Sequence, residues 1–149
     1  GFAIGAGLSG GVLAAKFGRR VLQLGALVAL TGLFWLWFVL QNQTDFNFWA
    51  IMPGMLITGI GAGLIVAALF DIVLSAADDS EVGSASGVLS AVQSISSSLG
   101  VAVFGTVFFA QVKLGDVTLG LQNGILVSAL LMVLFLAVTP FLPNHQARE

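Results

Sequence analysis

Twelve charged residues are spaced so unevenly along this 149-residue chain that four stretches, 21–44, 46–70, 82–112 and 117–147, carry no charge at all. A bilayer core about 30 Å thick needs roughly 20 mostly apolar residues at about 1.5 Å each, and every stretch is long enough. Each is therefore expected to cross a membrane as a helix. Residues 1–15 form a fifth, shorter apolar stretch, and because position 1 is Gly and not Met, the expectation is a helix cut short in a fragment. Composition points the same way: 58% of residues are hydrophobic and 8% charged, with a mean hydropathy of +1.05, whereas soluble domains carry about 25% charged residues.

The same composition excludes several functions. A net charge of −2 argues against a nucleic-acid partner. With no Cys and one His, in the tail at position 145, the chain offers no thiolate or His-cluster metal site and no Ser/His/Asp triad. No enzyme activity, cofactor or metal is expected. The opening stretch does not resemble a signal peptide, since its basic residues follow the apolar run.

Five helices are expected, at about 1–15, 20–40, 49–75, 84–110 and 121–141, ahead of a tail at 142–149. Lys16, Arg19 and Arg20 lie between the first and second and Arg148 after the fifth, with Lys113 alone on the opposite side. The positive-inside rule then makes the first loop, the acidic loop with Asp78, Asp79 and Glu81, and the C-terminus cytoplasmic. Trp35, Trp37, Phe38, Phe46, Phe48 and Trp49 gather at the opposite end of the second and third helices, as an outer interfacial belt would. The second and fifth helices are Leu-, Val- and Phe-rich and read as lipid-facing. The first, third and fourth are dense in Gly, Ser and Ala, which lets backbones approach, and read as the inside of the bundle.

Gly5-Ala-Gly-Leu-Ser-Gly10 matches GxGxxG but lacks the strand and acidic residue of a dinucleotide site. It reads as helix packing, as do the pairs Gly7/Gly11 and Gly59/Gly63. The segment Gly11-Val-Leu-Ala-Ala-Lys-Phe-Gly-Arg-Arg20 is more specific. It resembles the signature cytoplasmic loop of the major facilitator superfamily: Gly11 for close packing, Gly18 for a tight turn, and Lys16, Arg19 and Arg20 to hold the loop at the cytoplasmic face. Ala15 stands where that motif has Asp, so the helix-capping lock the family's Asp provides is weakened or missing. Asp79 to Thr106, with Gly83-Ser-Ala-Ser-Gly87, Gln93 and Leu99-Gly-Val-Ala102, is similar to the penultimate-helix region of the fourteen-helix drug:H+ antiporters, the EmrB/QacA-type multidrug efflux transporters.

The resemblance implies an all-α polytopic helix bundle forming part of the C-terminal half of such a transporter. It further implies an inner-membrane location, a small-molecule substrate and a proton as partners, and a first bundle supplied by the rest of the polypeptide. Alternating access by two rocking bundles would be the mechanism. The third helix, with Thr58, would line the central cavity, and the fourth would meet the other bundle. A facilitator for another solute, such as a sugar or organic anion, and a non-transporting membrane scaffold are the alternatives.

Two features are legible from the residues alone. At 100° per residue Ser86, Ser90, Gln93, Ser97 and Gly100 share one stripe of the fourth helix. That stripe is either an interhelical hydrogen-bonding surface or the wall of a polar pathway and its moving interface. Asp71 is the one ionisable residue within an apolar stretch, a turn or two from the cytoplasmic helix end. Either interfacial water or a coupling role accounts for a carboxylate there.

Overall fold

The structure, a computed structural model, describes residues 1–8, 19–42, 47–75, 81–113 and 115–139. These form helices α1 (Phe2–Leu8), α2 (Arg19–Asn42), α3 (Phe48–Ser75), α4 (Val82–Val112) and α5 (Val117–Val138). No strand occurs among the described residues. The last four helices are long and apolar enough to cross a membrane, and the chain is an all-α polytopic bundle. The ends of the last four helices fall within about four residues of those expected, while the first, expected at 1–15, is described only over Phe2–Leu8. Residues 9–18, which include most of the signature loop, and the tail from 140 lie outside the described residues.

Local chemistry sets the helix ends. Asn47 caps α3, its side-chain oxygen accepting from the Trp49 N–H at 3.2 Å. The α4–α5 turn is tighter than the apolar pattern suggested. Gly115 takes a positive φ of 89°, and the Gly115 and Asp116 N–H groups donate to the Val112 and Gln111 carbonyls at the end of α4. Asp116 then caps α5 by accepting from Leu119 N–H at 3.0 Å, so α5 starts at Val117, four residues earlier than expected.

Helices α2 and α3 form the tightest pair, and glycine makes it possible. Gly25, Ala29 and Gly32 on α2 and Gly54, Thr58 and Gly61 on α3 each repeat at i, i+4, i+7, so each set occupies one face. A Cβ on Gly61 would lie 2.5 Å from the Gly25 carbonyl oxygen and 2.8 Å from Ala29 Cα. One on Gly32 would meet Thr58 and the Gly54 carbonyl. Trp35 closes the end of the seam nearest Phe48, its indole N–H donating to the Ala50 carbonyl at 2.9 Å. At the other end Val21, Leu22 and Ala68 form the most buried cluster, with Leu64, Ile65, Leu69, Ile72 and Phe135 against it.

The remaining helices hang on this pair. Gly5 of α1 packs on the Ile60 backbone, and Gly63 of α3 packs on Phe2 and Ala6. Helix α5 lies beside α2, where Gln122 donates to the Leu40 carbonyl at 3.1 Å and satisfies one of the open acceptors at the end of α2. Helix α4 joins the bundle through α5, with Phe104 and Phe108 seated on Gly124 and Gly120. It touches α3 only slightly.

This corrects the expected sorting of α2 and shows α4 open within this chain. Helix α2, read as lipid-facing, carries Val21, Leu22, Ala26, Ala29 and Val39, all buried, whereas α4, read as interior, has no buried residue. The sorting failed because it averaged over faces: α2 exposes Leu24, Leu27, Phe34 and Phe38 on one side and aligns its small residues on the other. If the α2–α3 contact holds the bundle, Gly61→Leu should lower the thermal midpoint of the detergent-solubilised protein, overpacking costing about 1–3 kcal/mol or more. Ala137→Leu, on the exposed side of α5, should leave that midpoint within about a degree, as followed by circular dichroism.

Candidate functional site

The stripe on α4 is the most exposed polar feature of the bundle. Every residue from 90 to 103 is exposed, so Ser90, Gln93, Ser97 and Gly100 lie open, while Ser86 is half-buried. A Cβ on Gly100 would meet nothing within 4 Å. Steps of four, four and three residues carry the same stripe from Gly100 through Phe104 and Phe108 to Gln111, where α5 covers it. One face of α4 is therefore paired with α5 over its last turns and bare over its middle.

Among the described residues, four serines of α4 bond within their own helix and not across to another. Ser86 donates to Gly83 O at 3.0 Å, Ser97 to Ser94 O at 2.9 Å, Ser94 to Ser90 O at 2.9 Å and Ser98 to Ser94 O at 2.9 Å, all within α4 itself. A hydroxyl returned to its own helix is satisfied without a neighbour, so these serines make α4 slim and weakly polar at little cost. Gln93 differs. Its carboxamide makes no hydrogen bond to any described residue, and it is too short of local partners to satisfy both donor and acceptor.

The other expected site residues are dispersed. Thr58 lies in the α2–α3 seam beside Gly32, half-buried, with its hydroxyl donating to Gly54 O at 2.8 Å; its contacts are those of a packing residue. Asp71 is exposed, four residues before the end of α3, and joins no described residue by hydrogen bond or ion pair. Arg19 and Arg20 open α2, and Arg20 is exposed, while Gly11, Lys16 and Gly18 lie outside the described residues. Among the described residues no three His, Cys, Asp or Glu come together as metal ligands. Trp35, Gln122 and the pair Gly120/Gly124 went unread as contact residues, although an amide in an apolar helix and a GxxxG spacing were the signals that could have found two of them.

No family model and no solved structure matches the chain. Over 107 residues, 71% of its length, it is 42% identical to a probable actinorhodin transporter of Streptomyces coelicolor. That region makes up 18% of the relative, so the chain spans less than a fifth of the protein it matches.

The position of Asp71 generates a definite expectation. Asp71 is exposed about one turn from the end of α3 and bonds to no described residue, so no dedicated partner is lost when it is changed. In the complete protein, Asp71→Asn should leave insertion intact and change transport or its pH dependence by less than about tenfold, or about 1.4 kcal/mol. Normal expression with complete loss of transport would assign Asp71 a coupling role.

Proposed function

We propose that the chain is part of a secondary active transporter that exports drug-like small molecules in exchange for protons, by alternating access. The observation that carries this reading is its 42% identity, over 107 residues, to a protein named as a transporter, in a chain with four membrane-length helices. The geometry supports it in a specific way. A bundle built on α2 and α3 presents, on α4, an exposed face of Ser90, Gln93, Ser97 and Gly100 on which only Gln93 is larger than serine. Small residues let a second helical unit approach closely and slide. In this reading α4 meets the first bundle of the same polypeptide, and the stripe lies at the moving interface or along the path. The proton and the drug-like substrate are inferred from the antiporter resemblance of residues 79–106.

Bulk on the stripe tests this. Gly100→Leu or Ser97→Leu should abolish substrate uptake into inverted vesicles, normalised to inserted protein, while Ala137→Leu on the outer side of α5 retains at least half. Equal tolerance at all three positions would remove α4 from the transport cycle.

The orientation belongs to the same proposal: an inner-membrane protein with the 16–20 loop and the C-terminus in the cytoplasm. In intact cells a membrane-impermeant thiol reagent should label Asn47→Cys and spare Phe17→Cys, in a protein whose other cysteines have been removed. The reverse pattern would invert the topology.

A further inference from the structure

Pro53 lies near the start of α3 and is the one proline among the described residues. It has no N–H, so the Trp49 carbonyl receives no donor from the helical ladder, and a proline ring crowds that same carbonyl. One of the backbone bonds that would tie Phe48–Met52 to the rest of α3 is therefore missing. Gly54 follows with no side chain, and its carbonyl accepts from the Thr58 hydroxyl at 2.8 Å, a local bond of the kind that bends helices. The turn after the gap is slackened as well.

The Trp35 indole spans this break from α2. Its N–H donates to the Ala50 carbonyl at 2.9 Å, before the proline, while a Cβ on Gly54, after it, would lie 3.0 Å from the indole Cδ1. One rigid ring thus joins the two sides of the gap, through the single donor that an indole has. The segment it holds is a unit of its own. Asn47 caps it, its side chain taking the Trp49 N–H at 3.2 Å and its carbonyl the Ala50 N–H at 3.1 Å and the Ile51 N–H at 3.3 Å. No residue from Phe48 to Met52 is buried, whereas Gly54, Gly61, Gly63 and Ala68 beyond the proline are.

We propose that Phe48–Met52 is a flap hinged at Pro53–Gly54 and that the Trp35 indole is its latch. With the Trp35–Ala50 bond made, the flap is held to α2; with the bond broken, it swings away while the glycine seam stays closed. The seam is spared because its contacts lie beyond the hinge, where Gly32 meets Thr58 and Gly25 meets Gly61. The device goes beyond the transport reading and does not require it, since every group in it belongs to α2, α3 or the Asn47 cap.

Spin-label distances in the complete polypeptide, freed of any other cysteines and held in lipid nanodiscs, test the latch. Labels at Leu24→Cys and Trp49→Cys span the hinge, labels at Leu24→Cys and Met55→Cys do not, and all three positions are exposed. The parent should give one dominant distance for each pair. Trp35→Phe, which keeps a ring beside Gly54 but removes the donor, should add a second distance to the Leu24–Trp49 pair and leave the Leu24–Met55 distance as it was. Pro53→Ala returns the missing N–H, and combined with Trp35→Phe it should abolish that second distance. A Leu24–Trp49 distribution unchanged by Trp35→Phe, a second distance that survives Pro53→Ala, or equal broadening of both pairs would overturn the hinge. A second measurement leaves the latch intact: with 15N-labelled tryptophan, the Trp35 indole proton should exchange with water severalfold more slowly in Pro53→Ala than in the parent, because a flap without its hinge opens less often. Equal exchange in the two proteins would also count against the proposal. Neither experiment reads export, so their outcome is separate from that of the transport assay.

Discussion

The close approach of α2 and α3 is the constraint on which the rest of the bundle depends. Lipid gives apolar helices no hydrophobic reason to associate, so contact must come from dispersion between well-fitted surfaces and from Cα–H and backbone interactions at short range. Gly25, Ala29 and Gly32 facing Gly54, Thr58 and Gly61 supply that fit, and there is no room at Gly61 for even one methyl group. Once the two backbones are in register, the polar groups near the Asn42 and Phe48 ends find partners across the seam and beside it. The Trp35 indole reaches Ala50, and Gln122 reaches the end of α2 and draws α5 in.

Helix α4 shows the opposite use of small residues. In α2 and α3 they are filled by a facing backbone; in α4 the glycines at 83, 87, 100 and 105 meet nothing, and the serines bond back to their own carbonyls. The contrast is between a seam that is closed and a surface kept smooth. On the proposed reading the first makes a rigid body and the second lets another body move against it, a division of labour that alternating access requires. The aromatic residues mark where the change occurs, since Phe104 and Phe108 fill the stripe over Gly124 and Gly120 and no bulky residue follows toward Gly100.

Reading the sequence was most successful where a single average carries the information. Charge-free length gave four of the helices to within a few residues, because hydrocarbon penalises charge wherever it occurs on a helix. It was least successful where only a direction in space matters. Leu- and Phe-rich α2 was sorted outward on composition, although its glycines and alanines define a buried face as surely as those of α3. Thr58, expected on a path by resemblance, packs against Gly32 within this chain, a contact its spacing alone did not indicate. The α4 stripe was legible in full as an alignment of Ser86, Ser90, Gln93, Ser97 and Gly100, but whether those hydroxyls would bond across helices or within their own could not be read from spacing, since both need the same residue types.

By itself, then, the sequence determined that this protein is a set of apolar helices crossing a membrane, where four of them begin and end to within a few residues, and which helix faces carry small or polar groups. These are properties of one segment in its solvent. Only the tertiary structure decided which faces are occupied: that α2 and α3 share a glycine seam, that α5 is held by Gln122, and that α4 is left open from 90 to 103. The physical reason is that a small residue permits close approach without choosing a partner, and the choice is made by whichever second surface fits.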